Sequence, residues 1–231
     1  MNNILTVIKK QLKDTLKNKS VLIQFIMFPV MGIIMTKAIN IDNMPANFFI
    51  YLFSSMYIGM APLTSISAII SEEKEKNTLR VLLMADVSPW QYLFGIGCYI
   101  FTACLVGSAI FAWLLEGVTT NERIVFLLIM AVGIIASIMI GAVIGVGCKN
   151  QMSATSVSVP VMMIFAFLPM LAMFNDTIAK VAKITYSEQV RIMISSLGSD
   201  ESFSNNVWII VINILVFGIL FSVFYKRRGL N

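Results

Sequence analysis

No histidine occurs anywhere in this chain of 231 residues. The commonest general base and the commonest metal ligand are therefore missing. Charge is scarce as well. Asp, Glu, Lys and Arg make up 13% of the sequence, against ~25% in an ordinary soluble domain. Cysteine is rare: Cys98, Cys104 and Cys148 lie in or near apolar runs without metal-ligand spacing and read as small packing residues. No acidic residue stands near the centre of a long apolar run, which disfavours an ion-coupled carrier. The acidic residues lie in connectors and form no aspartate-rich motif, which disfavours a membrane-embedded enzyme. Nor do the later runs mirror the first two as an inverted repeat. No basic patch is interleaved with exposed aromatics, so a nucleic-acid partner is not expected.

What is abundant is apolar length. The chain is 58% hydrophobic, with a mean hydropathy of +0.86. A span needs ~20 apolar residues, and six runs qualify: 21–39, 48–70, 92–115, 124–146, 155–174 and 207–225. The expected fold class is an all-α integral membrane protein with six transmembrane helices. Twelve of the 17 basic residues fall before the first run, between the second and third, between the fourth and fifth, and after the sixth. By the positive-inside rule those connectors and both termini are cytoplasmic. The first residues do not fit a cleaved signal peptide, because the basic stretch is long and the run behind it is span-length.

Three connectors carry patterns of their own. Residues 1–19 form an amphipathic stretch, with Ile4, Leu5, Ile8, Leu12 and Leu16 at helical spacing and lysines on the other face. Such a helix lies in the membrane interface, against lipid. Residues 175–206 are the longest outer connector. They suggest two short helices broken at Tyr186-Ser187, packed on the bundle or dipping into the outer leaflet. On the fourth run Ser137, Gly141 and Gly145 make a small-residue ladder for close helix packing, most simply within the chain. Gln24 and Asn213 are the most polar residues within spans and need interhelical partners. Pro29, Pro62, Pro160 and Pro169 mark kinks or local breaks. Methionines recur on the first, second and fifth runs. Met31, Met56, Met60, Met163 and Met170 are candidates for an adaptable substrate path, with core or lipid packing as the plainer reading.

The densest charge lies between the second and third runs, where 71–80 reads SEEKEKNTLR. Each of these charges would cost roughly 2.5–3.5 kcal/mol at a bilayer centre, so the segment belongs in water. Ser71 is placed to cap a helix beginning at Glu72, and Glu72 and Lys76 form an i,i+4 pair. Leu79, Leu82 and Leu83 then form an apolar stripe, and Ser88-Pro89 reads as the cap of the next span. A connector that only enforced topology would have no need of an apolar face. Segment 71–89 is therefore expected to be a helix that docks another protein.

The run SEEKEKNTLRVLLMADVSPWQYLFG resembles the cytoplasmic segment of type-2 ATP-binding-cassette (ABC) exporter permeases. Glu72, Glu73, Lys74, Glu75, Thr78, Leu79, Leu82, Leu83, Ser88 and Pro89 keep the family's register. Asn77 stands where glycine is usual, and Arg80 where an acidic or polar residue is common. The interfacial helix, the six spans and the two outer helices extend the likeness over nearly the whole chain, as one permease domain spanning 1–231. The resemblance implies a non-catalytic permease in a bacterial plasma membrane, paired with a second permease copy as homodimer or heterodimer. It also implies a separate P-loop ATPase that carries ATP and Mg. Docking residues would be Glu72, Glu73, Lys74, Glu75, Lys76, Thr78, Leu79, Leu82 and Leu83. No G-x-x-x-x-G-K-[ST] motif occurs in the chain, so ATP hydrolysis is assigned to the partner. Among the family's cargoes, amphipathic peptides or toxins come first and drugs next, moved outward from the cytoplasm or inner leaflet. The alternative is a secondary transporter or channel without an ATPase.

Overall fold

The computed structural model describes residues 2–17, 19–39, 45–84, 87–197 and 204–228. These form ten helices and, among the described residues, no strand. In chain order they are α1 (Asn2–Lys17), α2 (Lys19–Ala38), α3 (Phe48–Glu75), α4 (Thr78–Met84) and α5 (Pro89–Leu114), then α6 (Thr120–Gly147), α7 (Gln151–Ala172), α8 (Asp176–Ala182), α9 (Tyr186–Ser195) and α10 (Ser204–Arg228). Among the described residues five helices are long and apolar enough to cross a membrane: α3, α5, α6, α7 and α10. The apolar stretch of α2, Leu22–Ala38, is shorter. The protein is therefore an all-helical, multi-pass membrane protein.

Helix α3 is the axis of the bundle. Small residues let its neighbours approach its backbone. A Cβ built on Gly141 of α6 would lie 2.3 Å from the Leu63 carbonyl oxygen of α3, and one on Gly145 would lie 2.9 Å from Ile70. One on Gly59 would lie 2.7 Å from the Phe165 and Ala166 backbone of α7. The Ser137-Gly141-Gly145 ladder thus seats α6 on α3 within the chain. Polar pairs pin the same contacts: Ser158 of α7 donates to Ser67 of α3 at 2.9 Å, and Thr64 and Ser65 of α3 both donate to Gln24 of α2 at 3.1 Å. Gln24 thus meets Thr64 while Phe28 packs edge-on against Tyr57, so α2 runs antiparallel to α3.

The prolines leave their helices unbroken, and one of them sets a polar contact. Pro62 has no N–H, so in α3 the Ile58 carbonyl four residues earlier loses its helical partner. The Ser137 hydroxyl of α6 supplies the missing donor at 2.7 Å, and Tyr186 of α9 donates in turn to Ser137 at 3.1 Å. Ser137→Ala is expected to cost about 1–3 kcal/mol by stranding a buried carbonyl. In a Pro62→Ala background, where the helical N–H returns, most of that cost should vanish. Equal losses in both backgrounds, read from thermal melts in detergent, would show that the serine works elsewhere.

The hairpin of α8 and α9 packs on the bundle. The break falls at 183–185, just ahead of the expected Tyr186-Ser187, and Tyr186, Val190, Met193 and Ile194 are buried. Asn213 of α10 donates to the Ile184 carbonyl at 3.0 Å. Trp90 and Trp113 are exposed near opposite ends of α5. At 1.5 Å per residue they stand about 34 Å apart, the spacing of two aromatic belts around a ~30 Å hydrocarbon core.

Candidate docking surface at the α3–α4 corner

The corner begins with a helix that runs further than its sequence suggests. Ser71 does not cap a new helix. It lies inside α3, and its hydroxyl donates back to the Ser67 carbonyl at 2.8 Å. Nothing in the sequence between Ser71 and Glu75 forces a break, so α3 continues to Glu75. Asn77 makes the turn, with φ 55. Its N–H donates to the Lys74 carbonyl at 3.1 Å, and the Thr78 hydroxyl donates to the Glu73 carbonyl at 3.2 Å. A left-handed residue past a helix end is glycine's usual place, and asparagine is the best substitute. Asn77→Gly should leave melting unchanged or raise it slightly. Asn77→Val should cost about 1–2 kcal/mol, and equal melting temperatures for the two variants would contradict the left-handed turn. Helix α4 follows. Ser88 then opens α5 with a reciprocal cap: its hydroxyl accepts from the Gln91 N–H, and the Gln91 side chain accepts from the Ser88 N–H.

The charged residues are largely used up within the fold. Glu73 is buried and accepts from Lys10 and, at 2.5 Å, from Gln11, both on α1. Lys74 donates to the Val146 carbonyl at 2.9 Å, in the last turn of α6, where a cation also suits the helix dipole. Glu75 accepts the Gln151 N–H at 2.8 Å, at the first residue of α7, where an anion is favoured. Glu72 pairs with Lys76 on the surface at 2.5 Å. That hydrogen bond raises the Lys76 ammonium above its ordinary value, so it stays cationic across the neutral range. The end of α3 is thus tied to α1, α6 and α7 at once.

Leu79 and Leu82 of the apolar stripe face inward. Leu79 is 1% exposed, and Leu82 is half-buried against the core. The side chains of Arg80 and Leu83 lie outside the described residues. As a sequence pattern the stripe suits a docking face. On a seven-residue helix next to an apolar bundle, it is satisfied by the nearest hydrophobic surface, which is the chain itself. The outward face instead presents Val81, 65% exposed, and Met84, 73% exposed. The stripe's spacing already identified the opposite face, and the unused positions 81 and 84 were the signal for the exposed one.

The candidate methionines differ in exposure. Met56 lies in the core, Met31, Met60 and Met170 are half-buried, and Met163 is 51% exposed on the outside of α7. Among the described residues no group of His, Cys, Asp and Glu could hold a metal ion. Helix α1 has two faces. Val7, Gln11 and Thr15 are buried, and Val7 meets Gly95 of α5, where a Cβ would come within 2.9 Å. Leu5, Leu12 and Leu16 are exposed beside Lys9 and Lys13, the arrangement of a helix lying in a membrane interface.

Residues 1–225 match a family model described as ABC-2 family transporter protein. No curated protein matches the chain.

Proposed function

Because the chain belongs to the ABC-2 transporter family, and so is an ABC transporter permease, we propose that it is the export subunit of a complex powered by a separate P-loop ATPase. The observation that carries this reading is the exposed Val81-Met84 pair on α4, at a corner where Glu73, Lys74 and Glu75 are already committed to the permease itself. An exposed apolar pair is suited to a hydrophobic cleft in a partner.

In this reading α2 is the first of six crossings. Its 20 residues reach about 30 Å, and it runs antiparallel to α3. Both termini and α4 then face the cytoplasm of a bacterial plasma membrane. ATP and Mg sit on the ATPase, and this chain is not itself catalytic. Closure of the ATPases presses α4, and α4 moves the end of α3. Glu73, Lys74 and Glu75 pass that motion to α1, α6 and α7. A second permease copy completes the pathway. Amphipathic peptides or toxins are the first candidates for cargo and drugs the second, entering from the cytoplasm or inner leaflet and leaving outward.

The experiment is an affinity purification of the detergent-solubilised chain from its native membrane, followed by mass spectrometry and an ATPase assay. A P-loop ATPase in stoichiometric amount is the expected result. A chain that purifies without one would replace this reading with a secondary transporter or channel.

A further inference from the structure

An open groove of about 420 Å³ runs between α6 and α10 on the outside of the bundle. Its walls include Met139, Ile214, Gly218, Ile219 and Val223, and Lys226 closes one end. The Ser222 hydroxyl is turned onto the Gly218 carbonyl at 3.0 Å, so the groove is apolar along its length. Gly218 keeps it open: a Cβ there would find only the Met139 methyl at 3.6 Å. Lys149, outside the groove's own lining, follows the neighbouring end of α6. Gly147, at the end of α6, faces Phe224 of α10. Lys149 is two residues beyond Gly147 and Lys226 two beyond Phe224, and both are exposed.

Length fits this geometry to one leaflet. From Ile214 to Lys226 the α10 wall extends about 18 Å. Half of a ~30 Å hydrocarbon core is about 15 Å, so the groove spans from near mid-membrane to the headgroups at the Lys226 end. We propose that this groove is a binding site for an anionic glycerophospholipid of the cytoplasmic leaflet, with an acyl chain between α6 and α10 and the phosphate against Lys226 and Lys149. The occupant is a lipid because the walls are apolar and lie at membrane depth. It is anionic because Lys226 closes the headgroup end and Lys149 follows the neighbouring end of α6. The assignment to the cytoplasmic leaflet rests on the orientation proposed above.

The test is native mass spectrometry of the full chain in mild detergent, titrated with phosphatidylglycerol or phosphatidylcholine of identical acyl chains. Phosphatidylglycerol should bind more tightly. One lysine near a headgroup corresponds to about a fivefold change in binding. Lys226→Gln should therefore weaken phosphatidylglycerol about fivefold, and the Lys149→Gln/Lys226→Gln pair about 25-fold, with phosphatidylcholine unchanged. Gly218→Phe, which fills the groove, should weaken both lipids. The glutamine variants alter exposed positions and keep the test readable if Gly218→Phe fails to fold. Equal binding of the two lipids, or an unaltered affinity in the lysine variants, overturns the proposal. So does efficient disulfide cross-linking of an Ile219→Cys variant to a second copy in native membranes, since the groove would then be a protein interface. ATPase capture by the same variants should remain intact, so failure of the lipid site and failure of the transporter reading give different results.

Discussion

Val81→Asp/Met84→Asp should abolish recovery of an ATPase with the purified chain while leaving its melting temperature unchanged. Both side chains project from α4 and are more than half exposed. Adding a carboxylate there costs the free permease little, because surface substitutions usually fall within ±0.5 kcal/mol. In a partner's cleft the same carboxylates lose water without gaining a counter-charge. An interface centre that is truncated and charged loses several kcal/mol, or more than a hundredfold in affinity. Leu79→Asp makes the contrast. Leu79 is 1% exposed, and a charge there would be buried against the bundle, so folded protein itself should be lost. If Leu79→Asp proved well folded and ATPase-free while the Val81/Met84 pair still captured the partner, the two faces of α4 would have to exchange roles.

Gly141→Val should lower the yield of monodisperse protein sharply, and Gly141→Ala should lower the melting temperature by several degrees. In an exposed helix, glycine to alanine gains up to ~1 kcal/mol of propensity. Here the new Cβ would lie 2.3 Å from the Leu63 carbonyl oxygen and 2.4 Å from the Ile66 side chain. The obstacle includes backbone, which cannot swing aside, so α6 must move away from α3. Overpacking of this kind costs about 1–3 kcal/mol per site, and valine adds two methyl groups to the clash. Gly97 of α5 is the control, because a Cβ there meets nothing within 4 Å. Gly97→Ala should match or exceed the parent in the same melt. Parallel behaviour of the two alanine variants would mean that α6 does not lie against Leu63.

Much of this arrangement is legible in the sequence, and the parts that are not share one cause. The apolar runs mark α3, α5, α6, α7 and α10 to within a few residues, because length and hydropathy are local properties. The small-residue ladder on α6 is legible for the same reason, and so is the Ser88-Pro89 start of α5. Asn77 stands at a position where glycine is usual, and its φ of 55 explains why only a few residues suit it. What no local pattern reveals is direction. Leu79 and Leu82 are plainly one face of a helix, but whether that face meets the bundle or a partner depends on where α4 folds back. Glu73 reads as one charge in a hydrophilic connector, yet its partners Lys10 and Gln11 are more than 60 residues away. The role of Pro62 is likewise visible only once Ser137, on another helix, is beside Ile58.

The central position of α3 also constrains how the protein is made. Among the five long apolar helices α3 has the lowest mean hydropathy, 1.4, and the largest buried share, 78% of its most apolar stretch. Helix α10 is nearly the reverse, with a mean hydropathy of 2.8 and 6% buried. During synthesis α3 leaves the ribosome before α6 and α7, the helices that cover its serines and close on its glycine. Until they arrive it is a weakly hydrophobic segment with polar residues open to lipid. Its residence in the membrane must then be supported by α2, through Gln24 and Phe28, or by the insertion machinery. Substitutions that weaken the α2 contact should therefore cause failures of biogenesis, seen as a nascent chain degraded before it is complete, rather than a mature transporter that works poorly.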